Sequence, residues 1–144
     1  MSEKPIVIAS DHAGWVLKET LVGELEAQGH AVLNLGTDGP ESVDYPSFAD
    51  LLAAAIRDGR AERGVLVCGT GIGIAIAANR HPEVRAAVCH DETSARLTRE
   101  HNDANVLALG ARLVGDEVAK DCLKTFLNTK FDGGRHVRRV AMLG

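Results

Sequence analysis

Aromatic residues are scarce: one Trp, one Tyr and three Phe make up 3% of the 144 residues. So few rings disfavour a base-stacking platform for single-stranded nucleic acid. Cysteine is scarce too, and Cys68, Cys89 and Cys122 are widely spaced and odd in number. That pattern excludes a disulfide framework and fits a reducing cytoplasm. Positive charge does not dominate, because 16 Lys+Arg stand against 20 Asp+Glu for a net charge of -4. Neither nucleic acid nor an anionic membrane is expected as the main partner. No stretch reaches the roughly 18 apolar residues of a membrane span. The opening MSEKPIVIAS lacks the apolar run and cleavage site of a signal peptide. No repeat, low-complexity segment or linker stands out. What the chain does have is 45% hydrophobic residues. Residues 1–144 are therefore expected to form one domain, with 129–144 as a partly basic C-terminal tail.

Short apolar runs alternate with segments of helical period. Strands are expected over 5–10, 31–35, 64–68, 85–89 and 106–109. Helices are expected over 13–28, 46–58, 72–79, 93–101 and 115–128. Leu17, Leu21 and Leu25 share one face of the first helix. Phe48, Leu51, Leu52, Ala55 and Ile56 form the stripe of the second, and Val118, Cys122 and Phe126 that of the last. Such alternation implies a parallel sheet with right-handed crossovers. The expected fold class is α/β, a three-layer αβα sandwich with a five-stranded parallel sheet in the Rossmann-like order 2-1-3-4-5. The chain then reverses direction between strands one and three, and ligands bind outside the carboxyl ends of strands at such a point. The turns Asp11-His12-Ala13-Gly14 and Cys68-Gly69-Thr70-Gly71-Ile72-Gly73 are expected to share a site.

Gly69, Gly71 and Gly73 let the backbone of the second turn approach a ligand closely. The helix that follows aims its unpaired N–H groups at the same place, which suits a developing negative charge. A thiol there is favoured as its reactive thiolate. Read alone, the segment is equally a tight turn around a buried, inert cysteine. A dinucleotide fingerprint would need glycine at 69, 71 and 74, but position 74 is Ile74. The turn also follows the third strand instead of the first, so Asp91 downstream does not rescue that reading. Asp11 alone reads as a helix cap, and His12 as a solvated loop residue. Only their convergence with the second turn raises them. His101-Asn102-Asp103 alone reads as a helix end. Arg135 and Arg139 share a face if their segment is helical and would clamp a phosphate. Alone they read as a solvated tail. His30, His81 and His90 suggest no role, Cys122 reads as packing, and Cys89-His90 lacks metal-ligand spacing with anything nearby.

Taken in order, DHAG, DYP, CGTGIGIAIAANR, HNDANVLALGAR and GGRHVRRV resemble ribose-5-phosphate isomerase type B over nearly the whole chain. The wider family includes galactose-6-phosphate isomerase subunits. The resemblance implies an aldose–ketose isomerase that interconverts ribose 5-phosphate and ribulose 5-phosphate through an enediolate, with no cofactor. By position, Cys68 matches the base and Thr70 the hydroxyl that moves protons among the substrate oxygens. The N–H groups around Gly69, Gly71 and Gly73 match an anion hole. His101 with Asp11 matches the ring-opening groups. His12, Arg135 and Arg139 match phosphate ligands, and Tyr45 matches a pocket residue. Asn102 and Arg112 match residues supplied by a neighbouring subunit, which implies a homodimer with shared active sites, or a tetramer. In another branch the cysteine is replaced and a Glu six residues later is the base. Ile74 cannot take a proton, which leaves Cys68. Arg138 is given no role. Two alternatives stand beside this reading: an isomerase of allose 6-phosphate or galactose 6-phosphate, and a sugar-phosphate-binding protein without turnover. Intact Cys68 and Thr70 argue against the second.

Overall fold

A computed structural model describes residues 4–144. Five strands alternate with helices: β1 (Ile6–Ser10), α1 (Trp15–Ala27), β2 (Val32–Asn34), α2 (Tyr45–Arg57), β3 (Arg63–Cys68), α3 (Ile72–Ala78), β4 (Ala86–Val88), α4 (Glu92–Asn102), β5 (Val106–Gly110) and α5 (Asp116–Asn128). A further helix, α6 (His136–Ala141), lies in the segment expected as a tail and packs on α4. All strand pairs are parallel. Side chains alternate between the two faces of the sheet, as the pleat requires. Ile6, Ile8, Val65, Val67, Leu107 and Leu109 pack with α1, α4 and α5. Val7, Ala9, Leu66, Cys68, Val106 and Ala108 pack with α2 and α3. The parity of β3 thus sends Cys68 toward the α2–α3 layer.

The α/β class and the helix-covered parallel sheet are as expected, but the strand order is β2-β1-β3-β5-β4, not 2-1-3-4-5. Burial explains the exchange. β5 is buried throughout, with Val106, Leu107 and Leu109 fully enclosed. β4 has three residues, Ala86, Ala87 and Val88, all only partly covered. A strand covered on both faces belongs inside the sheet, and a short strand suits an edge. Each fully buried Val or Leu contributes about 1.5–3 kcal/mol, so moving β5 outward loses more than the two alanines of β4 could return. β5 consequently lies against β3, with Cys68 in register with Gly110.

Two expected stripes are also turned slightly. Leu51 and Val118 face outward at 47% and 40% exposure. The buried faces are Ala49, Leu52, Ala53 and Ala55 on α2, and Ala119, Cys122, Leu123 and Phe126 on α5.

Candidate active site

The turns after β1 and β3 do meet. Asp11 N–H donates to the Val67 carbonyl at 3.2 Å. Gly14 lets the two turns close, since a Cβ there would stand 2.6 Å from the Val67 carbonyl oxygen. Between them opens a cleft of about 340 Å³. Asp11, His12 and Ala13 line one side. Cys68, Gly69, Thr70 and Gly73 form the floor, with Tyr45 from the start of α2 and Arg112 from the turn after β5.

Asp11, His12, Cys68 and Thr70 are each held by a backbone N–H. Asp11 Oδ1 accepts the N–H groups of Ala13 and Gly14 at 3.0 and 3.1 Å, so its carboxylate is fixed at the strand end. His12 Nδ1 accepts the Val43 N–H at 3.1 Å. That bond assigns the imidazole proton to Nε2. Cys68, only 5% exposed, keeps its sulfur at the floor, where Gly71 N–H donates to Sγ at 3.1 Å. Thr70 Oγ1 accepts the Ile72 N–H at 3.1 Å and retains its own proton to donate. Gly71 sits at φ +80° as the cap of α3, and a Cβ there would meet the Leu109 carbonyl carbon at 2.9 Å. Gly73 lies under the Tyr45 ring, 2.8 Å from Tyr45 Cζ to an added Cβ. Gly69 is different: a Cβ would make only ordinary contact with Arg112.

Arg112 corrects one expectation. The resemblance assigned it to a neighbouring subunit. With β5 beside β3, Arg112 N–H donates to the Gly69 carbonyl at 2.9 Å, and the side chain lies over Gly69 in the same chain.

The remaining expected residues gather elsewhere. His101 ends α4 and stacks on His136 of α6, ring centroids 4.5 Å apart. Asp132 N–H donates to the Glu100 carbonyl at 3.1 Å and so ties the segment before α6 to α4. Arg135 caps α6 and Arg139 lies within it, four residues on. Asn102 accepts the Thr98 hydroxyl at 3.0 Å and lines a separate hollow with Arg85 and Leu143. α4 runs back against the strand direction, so this group sits at the amino edge of the sheet. Cys68 sits at the carboxyl edge. Five strand residues, roughly 16 Å, separate the two edges.

His101, Asp132 and His136 offer ligand atoms within 4.8 Å of one another. Arg135 and Arg139 also stand beside this group, with Asp132 the acidic neighbour that opposes them. His136 is pushed below the ordinary imidazole range by desolvation and then by His101, Arg135 and Arg139. That electropositive setting suits an anion. Asp91, the residue a dinucleotide would need for its ribose, is occupied as the cap of α4, where it accepts the Ser94 N–H at 2.7 Å.

The family described as Ribose/Galactose Isomerase matches residues 6–143. The chain belongs to this family. It is 45% identical to ribose-5-phosphate isomerase B of Escherichia coli, over 95% of this chain and 92% of that one. It is 43% identical to D-erythrulose-4-phosphate isomerase of Pectobacterium atrosepticum, over 96% and 92%. The structure of ribose-5-phosphate isomerase B from Clostridium thermocellum superposes with a TM-score of 0.96 at 50% identity, over 97% of this chain and 95% of that one. Three participants in this isomerase fold escape a reading of the sequence. Val43 acts on His12 through its backbone, which leaves no side-chain signal. His136 and Asp132 meet His101 only because α6 docks on α4. A His between two arginines was the available hint.

Proposed function

We propose that the chain interconverts ribose 5-phosphate and ribulose 5-phosphate, with Cys68 as the base. The observation that carries this reading is the Cys68 sulfur at the floor of the cleft, held by the Gly71 N–H and flanked by Asp11, Thr70 and Arg112. Aldose–ketose exchange moves the C2 hydrogen to C1 and the O2 proton to O1. The Cys68 thiolate takes the C2 proton, and the C2–H electron pair forms the enediolate as the C1 carbonyl opens. The thiol then returns the proton to C1. Thr70 passes the oxygen-bound proton between O2 and O1. Gly71 N–H is already engaged with the sulfur, so Gly69 and Gly73 are the N–H groups assigned to the enediolate oxygens. Preorganised donors of this kind are commonly the largest electrostatic contribution in such sites.

The two groups of residues then have complementary roles in a homodimer. One protomer supplies Asp11, His12, Tyr45, Cys68, Thr70 and Arg112. Its partner supplies His101 to open the ring, Asn102 to bind the sugar, and Arg135 and Arg139 to hold the phosphate. Ile72 and Ile76, one turn apart on α3, are 49% and 65% exposed beside the cleft, and Leu51 on the adjoining α2 is 47% exposed. This apolar face supports a second copy at that position.

A coupled assay with ribose 5-phosphate tests the activity, run beside erythrulose 4-phosphate and allose 6-phosphate. Turnover of ribose 5-phosphate should exceed both, and Cys68→Ala should lower kcat by roughly a thousandfold with KM little changed. No turnover of any of them, or a near-normal Cys68→Ala, would overturn the reading.

A further inference from the structure

We propose that Lys18 is a positioning residue for His12, acting through the loop between β2 and α2. The proposal rests on the functional reading above for what His12 binds, and on geometry alone for how His12 is held.

Lys18 lies on the inner face of α1 beside Leu17, Leu21 and Leu25, with no exposure at all. A lysine there is a poor choice for packing, because a buried ammonium must be paired to be tolerated. Its partners all lie toward the β2 edge. Nζ donates to Asn34 Oδ1 at 2.8 Å and reaches Asp38 Oδ1 at 3.4 Å. It also pairs with the Glu19 carboxylate. Asn34 is the centre of the clasp. Its Oδ1 also accepts the Gly36 N–H at 3.0 Å, and its Nδ2 donates to Glu19 Oε2 at 3.2 Å. The hydrogen bond from Lys18 holds the Glu19 carboxyl below the ordinary carboxylate range.

From the clasp the chain runs directly to the cleft. Ser10 N–H donates to the Gly36 carbonyl at 2.7 Å, and Thr37 N–H donates to the Ser10 carbonyl at 2.8 Å. These bonds seat the start of the loop on the end of β1, one residue before Asp11. The far end of the loop delivers the Val43 N–H to His12 Nδ1 and then Tyr45 onto Gly73. A hydrophobic residue at position 18 would fill the same space. It could not fix the direction in which the loop leaves β2. A directional clasp at one end of a loop whose other end selects a histidine tautomer is a positioning device.

The test uses Lys18→Met, which keeps length and removes charge, Lys18→Arg, and Asn34→Ala, whose side chain is exposed and whose loss cannot empty the core. In ligand-free protein, nitrogen-15 NMR of the His12 imidazole reports the tautomer. Wild type should show the Nε2–H form. Lys18→Met and Asn34→Ala should show a mixture, and Lys18→Arg should restore part of the wild-type signal. With ribose 5-phosphate, both disabling variants should raise KM by about fivefold, the worth of one hydrogen bond, with kcat held within about twofold. The double variant should be little worse than either single one, since both disable one device. An unchanged tautomer and KM in Asn34→Ala overturn the proposal, even where Lys18→Met fails to fold. The two readings separate cleanly. A changed tautomer in an enzyme inert toward ribose 5-phosphate keeps Lys18 in this role and removes the assigned substrate. An unchanged tautomer in an active enzyme does the reverse.

Discussion

Three thiols in one chain have three different environments, and only one has chemistry within reach. Burial pushes the Cys89 thiol up to about 11 and the Cys122 thiol up to about 12. Both belong to the core under α4 and α5. Cys68 instead borders the cleft and receives an N–H on its sulfur. Since the thiolate is the nucleophile, iodoacetamide at about pH 8 should label Cys68 first. Mass spectrometry should find one adduct per folded chain, and ribose 5-phosphate should slow its formation. Equal labelling of Cys89 or Cys122 in native protein would show that the core opens readily or that Cys68 has no special setting. Tyr45 and Gly73 are a second case at this scale. No propensity argument links them, yet the Tyr45 ring leaves no room for a Cβ at position 73.

At the scale of elements, the turns were legible and the neighbours were not. Asp11 and Cys68 each end an apolar run and open a helix, so their convergence follows from the reversal between β1 and β3. That reversal survives in the observed order. Which strand flanks β3 on its other side is not written in periodicity, because a strand of five residues carries no record of its partner. The available signal was composition: VLALG is apolar throughout, whereas the AAV of β4 is short and small. Reading that contrast would have placed Arg112 beside Cys68. α6 was legible only as two arginines four apart, since it buries no residue of its own. Its docking on α4 carries a testable consequence. His136 is held low by partial desolvation, and its cationic neighbours Arg135 and Arg139 add to the effect. A phosphate bound there would oppose those cations and raise the His136 value, so binding takes up a proton and tightens as pH falls through that range. Proton NMR of His136 with and without inorganic phosphate should show the rise. Arg139→Ala should abolish the phosphate-dependent part. It should also weaken binding of ribose 5-phosphate far more than binding of free ribose.

At the scale of the whole molecule, the decisive fact is that the candidate residues divide between the two edges of the sheet. Cys68, Thr70 and Asp11 lie at the carboxyl edge, while His101 lies at the end of α4, stacked on His136 at the amino edge. A strand of roughly 16 Å keeps them apart within one chain. A small sugar phosphate cannot bridge that distance through the body of a sheet. A two-fold axis can, because it turns the amino edge of one copy toward the carboxyl edge of the other and makes two equal sites. Arg112 sharpens the division by joining the Cys68 group, so the share proposed for a partner reduces to α4 and the segment bearing α6. Mixing inactive Cys68→Ala chains with inactive His101→Ala chains tests this directly. After subunit exchange about half of the dimers are mixed, and each mixed dimer has one site with both residues intact and one with neither. Activity should therefore return to about one quarter of the wild-type level. The recovered sites should also show wild-type KM, since every remaining contact in them is native. Mixed dimers that form, as seen by native mass spectrometry, yet stay inactive would mean that each chain builds its site alone. His101 would then have no part in the chemistry at Cys68.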